Sequence, residues 1–299
     1  MESKDLPKNQ VMDEYGVIYS QDGKQLIRSI NRDLEIYPII EGCKVICNVA
    51  FANHKQLKEV IIPDTVTTIE NDAFAGCTSL INIIIPKSVN DIGKGVFYGC
   101  SNLENIFVAD GNEVYKSIDG VLFNSTKNQL IEYPAGRKAS NYTIPAGMDI
   151  AINYNSLAYC PHLTDITLSD NVSVFRARWG MFDNDTLKLK NIIIPKNVTK
   201  LDTDIFHSFA TIENIVVEEG NEAFVSIDGV LFDKQKTTLI CYPEDKEDKN
   251  YTVPDGVTFI EKFAFAHCRH LNKITLPHTI KEIVGNAFED CSFENIFFV

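Results

Sequence analysis

The sequence predicts a solenoid, α/β in class but β-rich, with parallel stacked strands, short helical or 3₁₀ turns and inserted β-hairpins. Three observations point to it. Residues 60–82, "VIIPDTVTTIENDAFAGCTSLIN", and residues 83–105, "IIIPKSVNDIGKGVFYGCSNLEN", align without a gap, so that Leu57, Leu80 and Leu103 stand 23 residues apart. The same anchor returns at Leu163, Leu189, Ile212, Leu271 and Phe293. Where the anchors are far apart, a second motif fills the gap: "SIDGVLFNSTKNQLIEYP" at 117–134 matches "SIDGVLFDKQKTTLICYP" at 226–243. A fixed period of about 20–29 residues marks units too short to bury their own apolar residues, which stack to share one core.

Each element has a local reason. In "LINIIIP" the alternation makes a short strand with Leu80, Ile83 and Ile85 inward and Asn82 and Ile84 outward; the following proline ends it by removing a ladder donor. "SVNDIGKGVFYGC" supplies a second extended piece and then a turn, expected to be helical or 3₁₀, that carries Phe97 inward. The "DGVLF" segments, and a weaker copy "YGVIYSQDGKQLI" at 15–27, are two short alternating runs around a polar turn and read as β-hairpins. The expected organisation is a tail over 1–14 and one solenoid over 15–299, in three modules at about 15–115, 116–224 and 225–299.

Composition narrows the function. The 299 residues carry 41 acidic and 28 basic side chains, a formal charge of −13, which disfavours nucleic acid and anionic lipid as partners. No run is long and apolar enough to span a bilayer, and "MESKDLPKNQ" has no apolar signal core. That opening fits either a cytoplasmic protein or one whose secretion signal has been removed.

Five of the eight cysteines (Cys77, Cys100, Cys160, Cys268 and Cys291) share one repeat slot, with His54 there in the first unit. Such recurrence describes a small buried side chain, so neither disulfides nor metal are expected. "CKVIC" at 43–47 has no second pair, and "HCRH" at 267–270 lacks the three or four converging ligands of a metal site. No nucleophile, phosphate-loop or zinc-hydrolase motif occurs, and no catalytic residue or cofactor is expected.

The outward strand positions carry the binding expectation. Two residues past the anchors stand Glu59, Asn82, Asn105, Asp165, Asn191, Asn214, Lys273 and Asn295; four past stand Ile61, Ile84, Phe107, Thr167, Ile193, Val216, Thr275 and Phe297. A polar ladder thus lies beside an apolar row, which is either a partner surface or a strip covered by the hairpins. The expected contact residues are Ile61, Ile84, Phe107, Asn82, Asn105, Ile193 and Val216, with Arg176, Arg178 and Trp179 of an irregular unit as a second patch. A protein partner is expected. The alternative is a glycan stacked on Phe107, Trp179 and Phe297.

The combination "LKEVIIPDTVTTIENDAFAGC" from Leu57, "ITLPHTIKEIVGNAFEDC" from Ile274 and the "DGVLF…L…YP" insert resembles the BspA-type leucine-rich repeat family. The resemblance covers about residues 15–299; the unit "VSVFRARWGMFDNDTLKL" at 172–189 departs from it by lacking "AF..C". It implies a right-handed leucine-rich-repeat solenoid from a bacterium or protist, on a cell surface or secreted. It further implies adhesion to a host or cell-surface protein, and no catalytic residues.

Overall fold

The computed structural model describes residues 6–145, 151–152, 156–157, 159–169, 188–201, 206, 211–291 and 295–299. In chain order the first strands are β1 (Gln10–Met12), β2 (Val17–Ser20), β3 (Gln25–Ser29), β4 (Ile36–Pro38), β5 (Val45–Ile46), β6 (Glu59–Ile61), β7 (Thr68–Ile69), β8 (Asn82–Ile85), β9 (Asp91–Ile92) and β10 (Asn105–Val108). Next come β11 (Tyr115–Ile118), β12 (Val121–Asn124), β13 (Gln129–Glu132), β14 (Asn141–Thr143), β15 (Ala151–Ile152), β16 (Asp165–Thr167), β17 (Asn191–Ile194) and β18 (Asn214–Val217). The last are β19 (Phe224–Ile227), β20 (Val230–Asp233), β21 (Thr238–Cys241), β22 (Asn250–Thr252), β23 (Phe259–Ile260), β24 (Lys273–Leu276), β25 (Glu282–Ile283) and β26 (Asn295–Phe298).

The chain forms two compact units, residues 1–138 with 152–160, and residues 139–151 with 161–299. Each is a β-solenoid with two walls, one of parallel strands and one mixed. One wall holds the strands that follow the anchors, here called the anchor sheet: β4–β6 and β8–β10 in the first unit, β14–β16–β17–β18 and β22–β24–β26 in the second. The other is built on the hairpins, as β1–β2–β3–β5–β7–β9 and β19–β20–β21–β23–β25. The hairpins are therefore the last two strands of three-stranded meanders whose third strand, β3 or β21, starts a parallel wall. Residues 10–12, placed in a tail by the sequence, form β1 and pair with β2.

Two meanders close an anchor sheet. The Ile106 N–H donates to the Gly120 carbonyl at 2.8 Å, and the Ile215 N–H to that of Gly229 at 2.9 Å. Those carbonyls are available because the aligned positions later in the meander are Pro134 and Pro243, which have no N–H. In the first meander the aligned residue is Ile30, and its own N–H donates to the Gly16 carbonyl at 3.0 Å. The glycine is required: φ is +76° at Gly120, and a Cβ there would lie 2.3 Å from Asn105 Oδ1.

The expected α/β class and helical turns need correction. Among the described residues there is no α-helix, and 3₁₀ geometry is recorded only at Phe206. The "AF..C" segments are turns whose alternate N–H groups bond to the next rung: Asp72 to Lys94, Phe74 to Val96 and Gly76 to Tyr98, at 3.0, 3.0 and 2.7 Å. A donor committed to a carbonyl 22 residues away cannot make an i→i−4 bond. Positive φ at Asp72 (55°) and Gly76 (72°) bends the chain out of helical geometry at both ends of the turn.

The inward residues behave as the repeat predicts. Leu57, Leu80 and Leu103 are buried with Ile83, Ile85 and Ile106. The turn phenylalanines stack rung on rung: Phe51 on Phe74 at 5.5 Å and Phe74 on Phe97 at 6.0 Å in the first unit, Phe265 on Phe288 at 5.3 Å in the second. Three anchor strands, β4, β14 and β22, lie outside the eight anchors expected from the sequence. They carry Tyr37, Tyr142 and Tyr251 where other rungs have isoleucine or valine, and the last two lack the leucine, with Ala139 and Asp248 in its place.

Candidate binding face

Parallel pairing sets the face. In the first unit Asn105 lies opposite Asn82 and Phe107 opposite Ile84, so like residues form rows across the strands. Burial alternates along β8, with Ile83 and Ile85 inside and Asn82 and Ile84 outside. The apolar row is open: Ile61 is 52% exposed, Ile84 59% and Phe107 45%, and Ile36 on β4 is 54% exposed. The meander after β10 meets that strand at its edge, through Gly120 and through Ser117, whose hydroxyl donates to the Ile106 carbonyl, and leaves the row uncovered.

The polar ladder is a chain of amides. Asn105 Nδ2 donates to Asn82 Oδ1 at 3.0 Å. In the second unit Asn214 Nδ2 donates to Asn191 Oδ1 at 3.2 Å, and Asn191 Nδ2 to Asp165 Oδ1 at 2.5 Å. There Val216 is 42% exposed and Ile193 is half-buried. The first unit thus brings Ile61, Ile84, Phe107, Asn82 and Asn105 together, while Ile193 and Val216 belong to the second. Arg176, Arg178 and Trp179 lie outside the described residues.

The first unit holds a further feature. Its anchor sheet is interrupted: β4 pairs with β6 and β8 with β10, but β6 and β8 belong to separate sheets. A groove of about 670 Å³ lies along the interruption, lined by Ile61, Ile81, Ile84 and Phe107 with Lys58, Glu59 and Asn82. Ile81 was not among the expected contact residues. It is 48% exposed and follows the anchor directly, where the neighbouring rungs carry Lys58 and Glu104. A third column of the repeat, one past the anchor, would have shown it.

Most of the cysteines, and His54, serve the core. None of the eight cysteines forms a disulfide. Cys77, Cys100 and Cys291 donate to the carbonyls of Phe51, Phe74 and Phe265, 26 residues earlier, at 3.2, 3.1 and 2.7 Å. The neighbouring Cys77 thiol and burial push the Cys100 thiol up, and burial does the same to Cys160. The exception is Cys291, which the Cys268 thiol lowers by hydrogen bonding to it. Burial also lowers the pKa of His54, so that its imidazole is held neutral in the slot. Among the described residues no three His, Cys, Asp or Glu side chains converge as metal ligands; His270 instead meets Asp245 at 3.1 Å. No described helix is long and apolar enough to cross a membrane.

The BspA-type leucine-rich repeat region matches six times, over residues 31–144, 135–248 and 240–299. A leucine-rich cell surface protein of Faecalibacterium prausnitzii A2-165 is 27% identical with a TM-score of 0.48, over 89% of this chain and 60% of that one. The present chain thus corresponds to 60% of that protein's length. A leucine-rich repeat protein of Eubacterium ventriosum ATCC 27560 is 20% identical with a TM-score of 0.47, over 96% of this chain and 93% of that one. No match is found among curated proteins.

Proposed function

The chain belongs to the BspA-type leucine-rich repeat family, and from that premise we propose that it is a non-catalytic binding protein of the cell surface or extracellular space. It holds a protein partner on the anchor face of its first unit. The observation that carries this reading is the open row Ile61, Ile84 and Phe107, three consecutive rungs each presenting an apolar side chain about half exposed. Contiguous exposed apolar surface of this kind is costly to keep in water and marks interaction sites. Covering each half-exposed side chain contributes about 1 kcal/mol, so a few rungs together can support specific binding.

The test is capture from a panel of purified extracellular proteins, run beside a glycan array, with wild type and an Ile84→Asp/Phe107→Asp double variant. Neither side chain enters the core, so the variant should melt within about 1 kcal/mol of wild type. It should lose at least about 100-fold in affinity, a tenfold loss for each buried contact replaced by a desolvated charge. Unchanged capture by the folded variant would remove the site from this face, and glycan capture without protein capture would replace the partner class.

A further inference from the structure

The column one past the anchor explains what the groove selects. In the first unit it reads Glu35, Lys58, Ile81, Glu104. Lys58 Nζ meets Glu35 Oε2 at 2.7 Å across one rung, as Lys190 meets Glu213 at 2.6 Å in the second unit. Each unit thus has one opposite-charge pair in this column, and beside Glu104 the column carries Ile81 in place of a lysine. Glu104 donates its backbone N–H to the Ile81 carbonyl at 2.8 Å, so its rung lies directly beside that isoleucine, where a cation would have answered it. Among the described residues no cation lies within ion-pair distance of Glu104 or Glu59. Both are exposed. The lysine that lines the groove, Lys58, is held by Glu35.

The apolar floor of the groove therefore has Glu59 in its lining and Glu104 one rung beyond Ile81, and no described cation pairs with either, on a chain whose formal charge is −13. We propose that the groove between β6 and β8 takes a segment of a protein partner that presents aliphatic or aromatic side chains to Ile61, Ile81 and Ile84, with lysine or arginine beside them facing Glu59 and Glu104. This rests on the anchor face being the binding face. The apolar contacts supply the affinity, and the carboxylates select sign and speed encounter. Acidic segments are rejected because they would set like charges together on partial desolvation.

Three fluorescein-labelled peptides test it by anisotropy on the full chain: leucines flanked by lysines, the same leucines flanked by glutamates, and serines flanked by lysines. The lysine–leucine peptide should bind at least about tenfold tighter than either other. Ile81→Ser should weaken it by about tenfold. Glu59→Gln/Glu104→Gln should bring the two leucine peptides within about threefold and flatten the salt dependence, whereas Asp91→Asn, on β9 of the other wall, should change neither. Equal binding of the lysine–serine peptide would reduce the effect to general attraction by an acidic chain and overturn the proposal. So would indifference to the sign of the flanks, or an Asp91→Asn effect as large as that of the glutamate pair. Loss of panel capture in the Ile84→Asp/Phe107→Asp variant without any preference among the peptides would sink the groove's selectivity and leave the binding face standing. If that variant changed neither measurement, both readings would fall.

Discussion

In the first unit the anchor sheet stops between β6 and β8, whereas in the second β14, β16, β17 and β18 pair without interruption. The inward residues do not account for this. Val60 and Ile83 flank the gap and are buried like Ile166 and Ile192 in the continuous sheet. The outward ladder does differ. Asn191 donates to Asp165 across one pair of rungs, but the corresponding acceptor for Asn82 is Glu59, whose carboxylate stands one methylene farther from the backbone. The ladder of the first unit begins only at Asn82. One repeat formula can thus keep a common core while its outward columns set the local surface, and a rung can be loosened without losing a buried residue.

The largest expected effects probe the claim that the two cores are equivalent. Phe97→Ala in the first unit and Phe265→Ala in the second should each cost about 3–5 kcal/mol in urea unfolding, as for any buried aromatic truncated in a stack. Phe288 is half-buried at the end of its stack and should cost less, about 1–2 kcal/mol. A cost under about 1 kcal/mol at either Phe97 or Phe265 would break the equivalence.

Next in size is a pH effect. Each unit buries one carboxyl beside its thiols, Glu132 near Cys100 and Glu244 near Cys241 and Cys268, and burial raises both. Burial takes Glu244 to about 7 from an ordinary 4.5. A raised carboxyl favours the folded state when protonated, so its contribution is complete below about pH 4.5 and is lost as pH rises through about 7. Glu244→Gln should remove that loss, about 3 kcal/mol between pH 4.5 and 8, and flatten the unfolding midpoint over this range. A Gln variant with the same pH profile as wild type would show the carboxylate is accommodated by other means.

The smallest effect bears on the interruption itself. Glu59→Asp should bring the acceptor within reach of Asn82, as Asp165 is for Asn191, and stabilise the first unit by about 0.5–1 kcal/mol. Slower amide exchange on β6 and β8 would accompany it. No change in either would mean that the gap has a cause other than ladder length.

The repeat explains how much could be read in advance. Leu80, Ile83, Ile85 and Phe97 were legible as core because each recurs at its period and apolar recurrence has few other causes. The hairpins were legible for the same reason. The Tyr142 and Tyr251 rungs were not, since their anchor positions hold Ala139 and Asp248 and no leucine marks them. Pro145 and Pro254, one residue after the inward Ile144 and Val253, were the remaining signal. Ile81 was missed because only the columns two and four past the anchor were compared.

The sequence by itself determined the stacking, because a unit of 23 residues has too little volume to close around its own leucines and must share its core with its neighbours. It also determined which meanders close a sheet, since Pro134 and Pro243 lack the N–H with which Ile30 satisfies Gly16. Only the tertiary structure decided that the turns carrying Phe51, Phe74 and Phe265 are not helical. The partner of the Phe74 N–H is the Val96 carbonyl, 22 residues away, and no local propensity contains that distance. The gap between β6 and β8 was likewise decided there, because whether two neighbouring rungs pair depends on where each stands against the other, which the residues of neither rung contain.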